Sequence, residues 1–393
     1  MHAGRLLRYG LFICISIVLG TITCPVPMAR AIHPDQVSIT YQLQFQGNNA
    51  WSHLQAIMAY NPRYPGTAGI NLTATYIETT LSANGGTVIE HPFSVNGIHC
   101  KNIIGKWVPA SNSSGEIVIL ASHYDARARA NEDPDLGKKN DPVPAANDGG
   151  SSTVILLEMA RILNLMYNNA TLAIDRETWL VFFDAEDQGS GGMSSFDWIE
   201  GSTALAASLG SFGGNSTNVK LFMLLDMVGG TGLQVDQEYN SNQGLLSSCF
   251  AMGQCLGYNG YFPSSPRGRY ITDDHIPFRN LGIPCLDIID LDYPEWHTTA
   301  DDLAHVSMAV IGGMGKVSEA FLLTKLVNAS TLAIADAGTG HVWTADGCTG
   351  DTGWLAVAAF LGQYWPYMTL AGVAIIVAIW AGLRRKNQCA AGI

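Results

Sequence analysis

Four uninterrupted apolar segments constrain the fold of this chain more than any other feature. They span residues 116–125, 178–187, 219–228 and 283–290, and each carries Asp, Glu or His at or near its carboxyl end. Strands buried on both faces read as continuous apolar runs, whereas half-exposed strands alternate apolar and polar residues. Helical patterns separate the segments, as at residues 152–163. The sequence therefore predicts an α/β three-layer sandwich, with helices flanking a mixed, mostly parallel central sheet.

The length and charge of the chain narrow its function. Its 393 residues can bury a sizeable core, and its formal net charge is −12. Because binding to a phosphate backbone needs clustered Lys and Arg, this acidic balance argues against nucleic acid as a partner. No linker divides residues 32–335, so we predict a single folded domain there.

The first 31 residues have the pattern of a secretory signal peptide. Arg5 and Arg8 precede a short apolar run, and the segment ends in an Ala-x-Ala sequence at residues 29–31. We expect cleavage after this segment. An uncleaved signal anchor is the alternative.

The other end of the chain has the pattern of a membrane anchor. Residues 365–383 contain no charged side chain, and an Arg-Arg-Lys cluster follows at once. At about 1.5 Å per residue, this stretch approaches the thickness of a bilayer's hydrocarbon core. It predicts a C-terminal transmembrane helix, with residues 384–393 as a cytoplasmic tail. Residues 336–353, rich in Gly, Thr and Asp, then form a stalk. The expected protein is a single-pass protein of the cell membrane with an extracellular domain.

Acidic and imidazole side chains lie at or near the carboxyl ends of three of the apolar segments. His123 and Asp125 lie in the first, Glu186 and Asp187 in the second, and Asp226 in the third. Because ligands of open α/β sheets bind beyond the carboxyl ends of the strands, we expect these side chains to meet in one site. Carboxylates and imidazoles without thiolates favour a divalent metal, with zinc preferred. A bound cation would also keep neighbouring carboxylates ionised together.

Two further candidate ligands come from other parts of the chain. Asp148 lies in a Gly-rich turn that opens a helix, and His297 lies near the end of the folded domain. Each alone has an ordinary explanation, since Asp148 suits a helix N-cap and His297 a surface position. Their order along the chain, each at a helix or strand boundary, favours a common site. The adjacent Glu186 and Asp187 allow one carboxylate to bind metal while the other acts as a base.

Together these segments resemble the secreted zinc aminopeptidases, and more closely their glutaminyl cyclase branch. Residues 63–67 resemble the family's Arg-x-Pro-Gly-Thr segment. Residues 271–278 and 294–298 are similar to segments typical of the cyclases, and the thirteen-residue connection between Asp187 and Gly201 suits that branch as well. The likeness covers nearly all of the predicted domain.

The resemblance implies a catalytic zinc held by Asp148, Asp187 and His297, with Glu186 as the general acid/base. Many members have Glu-Glu where this chain has Glu186 and Asp187, which shortens the ligand by one methylene. A small backbone shift would keep the distance between carboxylate and metal.

The resemblance also implies supporting roles for five residues. His123 and Asp226 complete a second metal site in aminopeptidases, whereas their equivalents stay without metal in animal-type cyclases. Asp125 would orient the ring of His123 without itself binding a metal. Asp273 would join the proton-transfer network, and Trp296 would wall the substrate pocket. One zinc is therefore expected for a cyclase and two for an aminopeptidase.

Three functions fit these residues. A cyclase would convert an N-terminal glutamine into pyroglutamate with release of ammonia, while an aminopeptidase would hydrolyse the first peptide bond. Both act on peptide or protein N-termini, and the segments at 271–278 and 294–298 favour the cyclase. A catalytically silent membrane-anchored binding protein on the same fold is the least favoured, because the chain keeps every candidate ligand.

Five cysteines lie in the predicted external part: Cys100, Cys249, Cys255, Cys285 and Cys348. Because five is an odd number, at most two disulfide bridges form. The spacing leaves their pairing open.

Overall fold

The computed structural model describes residues 39–328, 330, 332–345 and 347–349. The strands are β1 (Ile39–Gln42), β2 (Thr87–Val95), β3 (Ile98–Trp107), β4 (Ile117–His123), β5 (Glu177–Phe183), β6 (Val219–Asp226), β7 (Gln237–Glu238), β8 (Gly268–Arg269), β9 (Cys285–Ile289), β10 (Leu332–Asp336), β11 (His341–Thr344) and β12 (Gly347–Thr349). The helices are α1 (Gly47–Met58), α2 (Ala68–Ala83), α3 (Gly150–Tyr167), α4 (Glu200–Ser208), α5 (Gln243–Cys255), α6 (His275–Asn280) and α7 (Met308–Leu326).

A six-stranded sheet forms the centre of the molecule, in the order β2-β3-β5-β4-β6-β9. The four apolar segments of the sequence become β4, β5, β6 and β9, and these four strands run parallel. Strands β2 and β3 extend the sheet by antiparallel pairing. The prediction of a mixed, mostly parallel sheet is therefore confirmed.

Helices cover both faces of this sheet. Successive strand residues point to opposite faces, so each buried strand contributes to two cores. Leu120 packs in one core with Ile155 of α3, while Ile119 packs in the other with Leu205 of α4 and Phe278 of α6. The helices of the first core include α1, α3 and α7. The predicted three-layer arrangement is confirmed for the described residues.

A second, four-stranded sheet joins the two ends of the described chain. Its order is β1-β10-β11-β12, and β1 pairs with β10 in parallel. A disulfide between Cys255 and Cys348 connects α5 to β12. The predicted stalk at residues 336–353 is therefore wrong where β11 and β12 form. Strands β11 and β12 are too short to show a recognisable periodicity in the sequence. The second sheet also depends on pairing between residues almost 300 positions apart.

The predicted membrane placement needs correction. No helix in the described part of the chain is long and apolar enough to cross a bilayer, so a single-pass membrane protein with an extracellular domain is not supported. The longest described helix, α7, contains Lys316, Glu319 and Lys325 and packs in the core. The predicted signal peptide (1–31), transmembrane helix (365–383) and cytoplasmic tail (384–393) lie outside the described residues.

The parallel strands bring the candidate ligands to one edge of the central sheet. His123 ends β4 and Asp226 ends β6, while Glu186 and Asp187 follow β5. Asp148 precedes α3, and His297 lies in the connection between β9 and α7. The carboxyl ends of β4, β5 and β6 thus form the floor of the candidate site.

Candidate active site

Asp148, Asp187 and His297 form a buried cluster whose ligand atoms all lie within 4.8 Å of one another. The Nε2 atom of His297 is 2.9 Å from Asp187 Oδ1 and 3.6 Å from Asp148 Oδ2. The Oδ2 atoms of Asp148 and Asp187 are buried, and neither finds a hydrogen-bond partner in the described chain. Two carboxylates with unpaired oxygens facing one imidazole fit a divalent metal ion with oxygen and nitrogen ligands.

A second cluster shares Asp148 with the first. His123 Nε2 lies 3.1 Å from Asp148 Oδ1 and 3.1 Å from Asp226 Oδ1. The ligand atoms of these three residues also lie within 4.8 Å of one another. Because Asp148 offers Oδ1 to His123 and Oδ2 to His297, its carboxylate lies between the two clusters.

Asp125 links the ends of β4 and β5. One of its oxygens lies 3.4 Å from His123 Nδ1 and accepts the backbone N–H of Glu186 at 3.1 Å. Its other oxygen accepts the backbone N–H of Asp187 at 3.3 Å and the side-chain amide of Gln188 at 2.9 Å. One buried carboxylate therefore holds the backbone of the Glu186–Asp187 pair and lies beside His123.

The turn before α3 places Asp148 close to His123. The carboxylate of Asp301 accepts the backbone N–H groups of Asn147 at 2.8 Å and of Asp148 at 3.1 Å. Gly149 has a φ of 74°, and a Cβ there would lie 2.7 Å from His123 Cε1. Only glycine allows this approach at low cost.

Left-handed backbone conformations occur beside the candidate ligands. Ala185, Met227 and His297 have φ values of 59°, 47° and 57°. Non-glycine residues in this region cost about 1–3 kcal/mol each and persist where the surrounding structure enforces them. The three residues lie before Glu186, after Asp226 and at a candidate ligand itself, so the site concentrates backbone strain.

A cavity of about 260 Å³ opens onto the first cluster. Glu186 and Asp273 line it together with two tryptophans, Trp198 and Trp296. The ring of His297 stacks against Trp296 at a centroid distance of 3.7 Å and against Trp198 at 5.8 Å. The cavity is smaller than the roughly 300–1,000 Å³ of pockets that hold drug-sized ligands. It suits one amino-acid residue rather than a length of peptide.

Burial shifts the protonation of these groups. It lowers the pKa of His297 to about 3, which keeps the imidazole neutral and able to bind a metal. Burial, opposed by the charge of Arg127, raises the pKa of Asp187 to about 7. Burial and the charge of Asp187 raise the pKa of Asp148 to about 6, and burial raises that of Glu186 well above its ordinary value. A bound cation would stabilise the ionised carboxylates that burial disfavours.

Comparison with known proteins places this site in a family. The sequence profile of peptidase family M28 matches residues 102–322, more than half of the 393 residues. The chain belongs to peptidase family M28. The resemblance stated from the sequence motifs is therefore confirmed.

The relatives of this M28 chain include cyclases and exopeptidases. It is 27% identical over 296 residues to the glutaminyl-peptide cyclotransferase of Boiga irregularis, which covers 67% of this chain and 77% of the relative. The crystal structure of Porphyromonas gingivalis glutaminyl cyclase matches with a TM-score of 0.64 at 29% identity, over 72% of this chain and 99% of that chain. A Zn-dependent exopeptidase from Parabacteroides distasonis matches with a TM-score of 0.64 at 27% identity, over 72% and 99% of the two chains. This M28 protein is thus an enzyme of the cyclase and aminopeptidase kind.

The structure brings every predicted site residue of this M28 chain to one region. The two clusters and the cavity contain Asp148, Asp187, His297, His123, Asp226, Glu186, Asp273 and Trp296, and Asp125 contacts His123. Their separate chemical roles remain predictions.

Sequence reasoning missed three residues that shape the site. Arg127 donates to Asp187 and packs on Trp198, and Asp301 holds the turn that carries Asp148. Arg127 lies two residues beyond Asp125, and Trp198 lies in the thirteen-residue connection after Asp187, so both belong to segments already marked by the motif. Their partners could be named only from the folded chain.

Proposed function

We propose that this protein is a zinc-dependent glutaminyl-peptide cyclotransferase, which converts the N-terminal glutamine of a peptide into pyroglutamate and releases ammonia. The observation that carries the proposal is the placement of Trp198. The connection after Asp187 returns to the site, where Trp198 stacks on His297 with an angle of 11° between the rings. The family resemblance implies a short connection here in simple aminopeptidases. The cyclase named among the relatives and the cyclase crystal structure support the same choice.

The shape of the cavity supports an enzyme that acts at peptide N-termini. Trp198 and Trp296 both line the cavity, whose volume is about 260 Å³. Such a space accepts the first residue of a peptide and leaves the remaining residues outside. The proposal therefore predicts that an internal glutamine, with chain on both sides, is not a substrate.

Asp148, Asp187 and His297 would hold one zinc ion in this proposal. The single ion follows from the resemblance to animal-type cyclases, in which the equivalents of His123 and Asp226 stay without metal. When bound, the zinc would supply Lewis-acid polarisation of the substrate's side-chain amide carbonyl.

Glu186 is the residue that we assign to proton transfer. Glu186 lines the cavity and belongs to neither ligand cluster, and Asp125 fixes its backbone through a hydrogen bond of 3.1 Å. Glu186 would take a proton from the substrate's α-amine as the nitrogen attacks the side-chain amide carbon. It would then give this proton to the departing amide nitrogen, which leaves as ammonia. Asp273 lines the same cavity and would assist this transfer.

One observation favours an aminopeptidase as the second candidate. The ligand atoms of His123, Asp148 and Asp226 lie as close together, within 4.8 Å, as those of the first cluster. A second ion there would suit the activation of water for peptide hydrolysis. The similarity to a Zn-dependent exopeptidase agrees with this alternative.

A paired assay separates the two reactions. The purified protein is incubated with two tripeptides that differ only in their first residue, Gln or Leu, and the products are followed by ammonia release and mass spectrometry. Release of ammonia from the Gln peptide without shortening, together with about one zinc per chain, is the expected result. Free leucine from the Leu peptide with nearer two zinc ions per chain would replace the cyclase by the aminopeptidase. A Gln peptide with an acetylated amine is the control, because it lacks the attacking nitrogen.

A further inference from the structure

Two exposed tyrosines stand side by side at the mouth of the cavity. Tyr270 lines the same cavity as Glu186 and His297, yet the residue is 78% exposed. Tyr239 is 43% exposed, and the centroids of the two rings are 5.1 Å apart. Exposed apolar surface beside a ligand pocket commonly marks a recognition surface. We call these two residues the tyrosine pair.

The backbone fixes the position of the tyrosine pair. Strands β7 and β8 run parallel, and Tyr239 and Tyr270 directly follow their last residues. The backbone N–H of Tyr239 donates to Arg269 O at 2.7 Å. A Cβ on Gly268 would lie 1.8 Å from the Tyr239 hydroxyl oxygen and 2.3 Å from the adjoining ring carbon. The absence of a side chain at Gly268 therefore makes room for the Tyr239 ring.

Ion pairs occupy both arginines next to the tyrosine pair. Arg267 and Arg269 both bind the buried carboxylate of Asp236, at 3.1 and 3.2 Å. Arg267 also pairs with Asp290 at 2.7 Å, and Arg269 contacts Asp292. Because both arginines are paired, neither offers a free positive charge beside the two rings, whose faces are apolar.

The size of the cavity determines which part of a substrate meets this surface. A cavity of about 260 Å³ takes the first residue, so the second residue lies at the mouth, where Tyr270 stands. We propose that Tyr270, supported by Tyr239, is a specificity-determining residue that binds the side chain of the substrate's second residue and favours aromatic side chains. This inference rests on the proposed action at peptide N-termini.

Two dipeptide amides, Gln-Phe and Gln-Gly, test the proposal in the full chain. Aromatic contacts of this kind correspond to about a threefold to tenfold preference, so kcat/KM should be higher for Gln-Phe by this factor, chiefly through a lower KM. Tyr270→Ala should bring the ratio close to one, whereas Tyr270→Phe should keep it because the ring remains. Leu72→Ala is the matched control, since it removes a 52% exposed apolar side chain from α2. It should retain the wild-type ratio.

Equal use of the two amides by the wild type, or an unchanged preference in Tyr270→Ala, would overturn the inference. Failure of the proposed cyclase function gives a result distinct from failure of the Tyr270 inference. In that case the Gln amides are not cyclised, whereas Leu-Phe and Leu-Gly amides are hydrolysed. The ratio for those two substrates then tests the tyrosine pair in the same variants. If no peptide is turned over, calorimetric affinities for Gln-Phe and Gln-Gly amides supply the ratio, and equal affinities reject the role of Tyr270.

Discussion

The side chain of Arg127 donates hydrogen bonds to both the side chain and the main chain of Asp187. The Nη1 atom of Arg127 donates to Asp187 Oδ1 at 3.2 Å and to Asp187 O at 2.9 Å, and the guanidinium is completely buried. Its Nη2 atom donates to Ser190 O at 2.5 Å, and its central carbon lies 4.8 Å from the centre of the Trp198 ring. The Arg127 side chain therefore fixes a candidate metal ligand and also contacts the connection that carries Trp198.

Arg127→Lys should weaken metal binding. Lysine keeps the charge but lacks the planar fork that serves Asp187 and the following carbonyl groups together. Loss of a residue that orients a metal ligand typically lowers affinity by about 10- to 100-fold. Competition with a zinc chelator measures this change, and Arg129→Lys is the control because Arg129 is exposed. Equal zinc affinity in the two variants would show that Arg127 does not position Asp187.

Glu186→Gln should remove turnover and leave zinc bound. The amide cannot accept a proton from the substrate's amine, and loss of a general base typically lowers the rate by about 10²–10⁴-fold. Activity on a Gln peptide and the zinc content are measured on the same preparation. Glu90→Gln, at a position exposed on β2, is the control and should retain both. Near-normal turnover by Glu186→Gln would assign the base elsewhere.

The buried carboxyl group of Glu319, which does not line the cavity, should make the free energy of unfolding depend on pH. Glu319 accepts the backbone N–H groups of Gln44 and Phe45 and the hydroxyl of Tyr41, each at 2.8 Å. Burial raises the pKa of Glu319 from 4.5 to about 7. Between these values the folded chain binds the proton and the unfolded chain does not. The stabilisation is therefore complete below about pH 4.5 and is lost as the pH rises through about 7.

Glu319→Gln measures this contribution, because glutamine stays neutral at every pH. From pH 5 to pH 8, the unfolding free energy of the wild type should fall relative to that of the variant by roughly 2–3 kcal/mol. Urea denaturation at the two pH values gives both free energies. The exposed Glu90→Gln should show no such change. A pH-independent difference between wild type and Glu319→Gln would place the titration in another group.

The sequence predicted the central sheet and its functional edge because both depend on local patterns. The continuous apolar runs of β4, β5, β6 and β9 identify strands that are buried on both faces. His123, Asp187 and Asp226 end or follow such strands, and parallel pairing brings them to the same edge. Asp148 and His297 were candidates from their positions at element boundaries, and the family resemblance then implied that they share a zinc ion with Asp187.

The amino-acid order by itself thus determined the layers of the fold and the candidate ligands at the strand ends. Three contacts were decided only by the tertiary structure. Asp301 holds the backbone of Asp148 across 153 positions, and Arg127 fixes Asp187. Tyr239 packs beside Tyr270. The tertiary structure also placed β11 and β12 in a sheet where a stalk was expected. Side-chain periodicity encodes which face of a segment is buried, whereas these contacts depend on which distant residues lie opposite that face after the chain has folded.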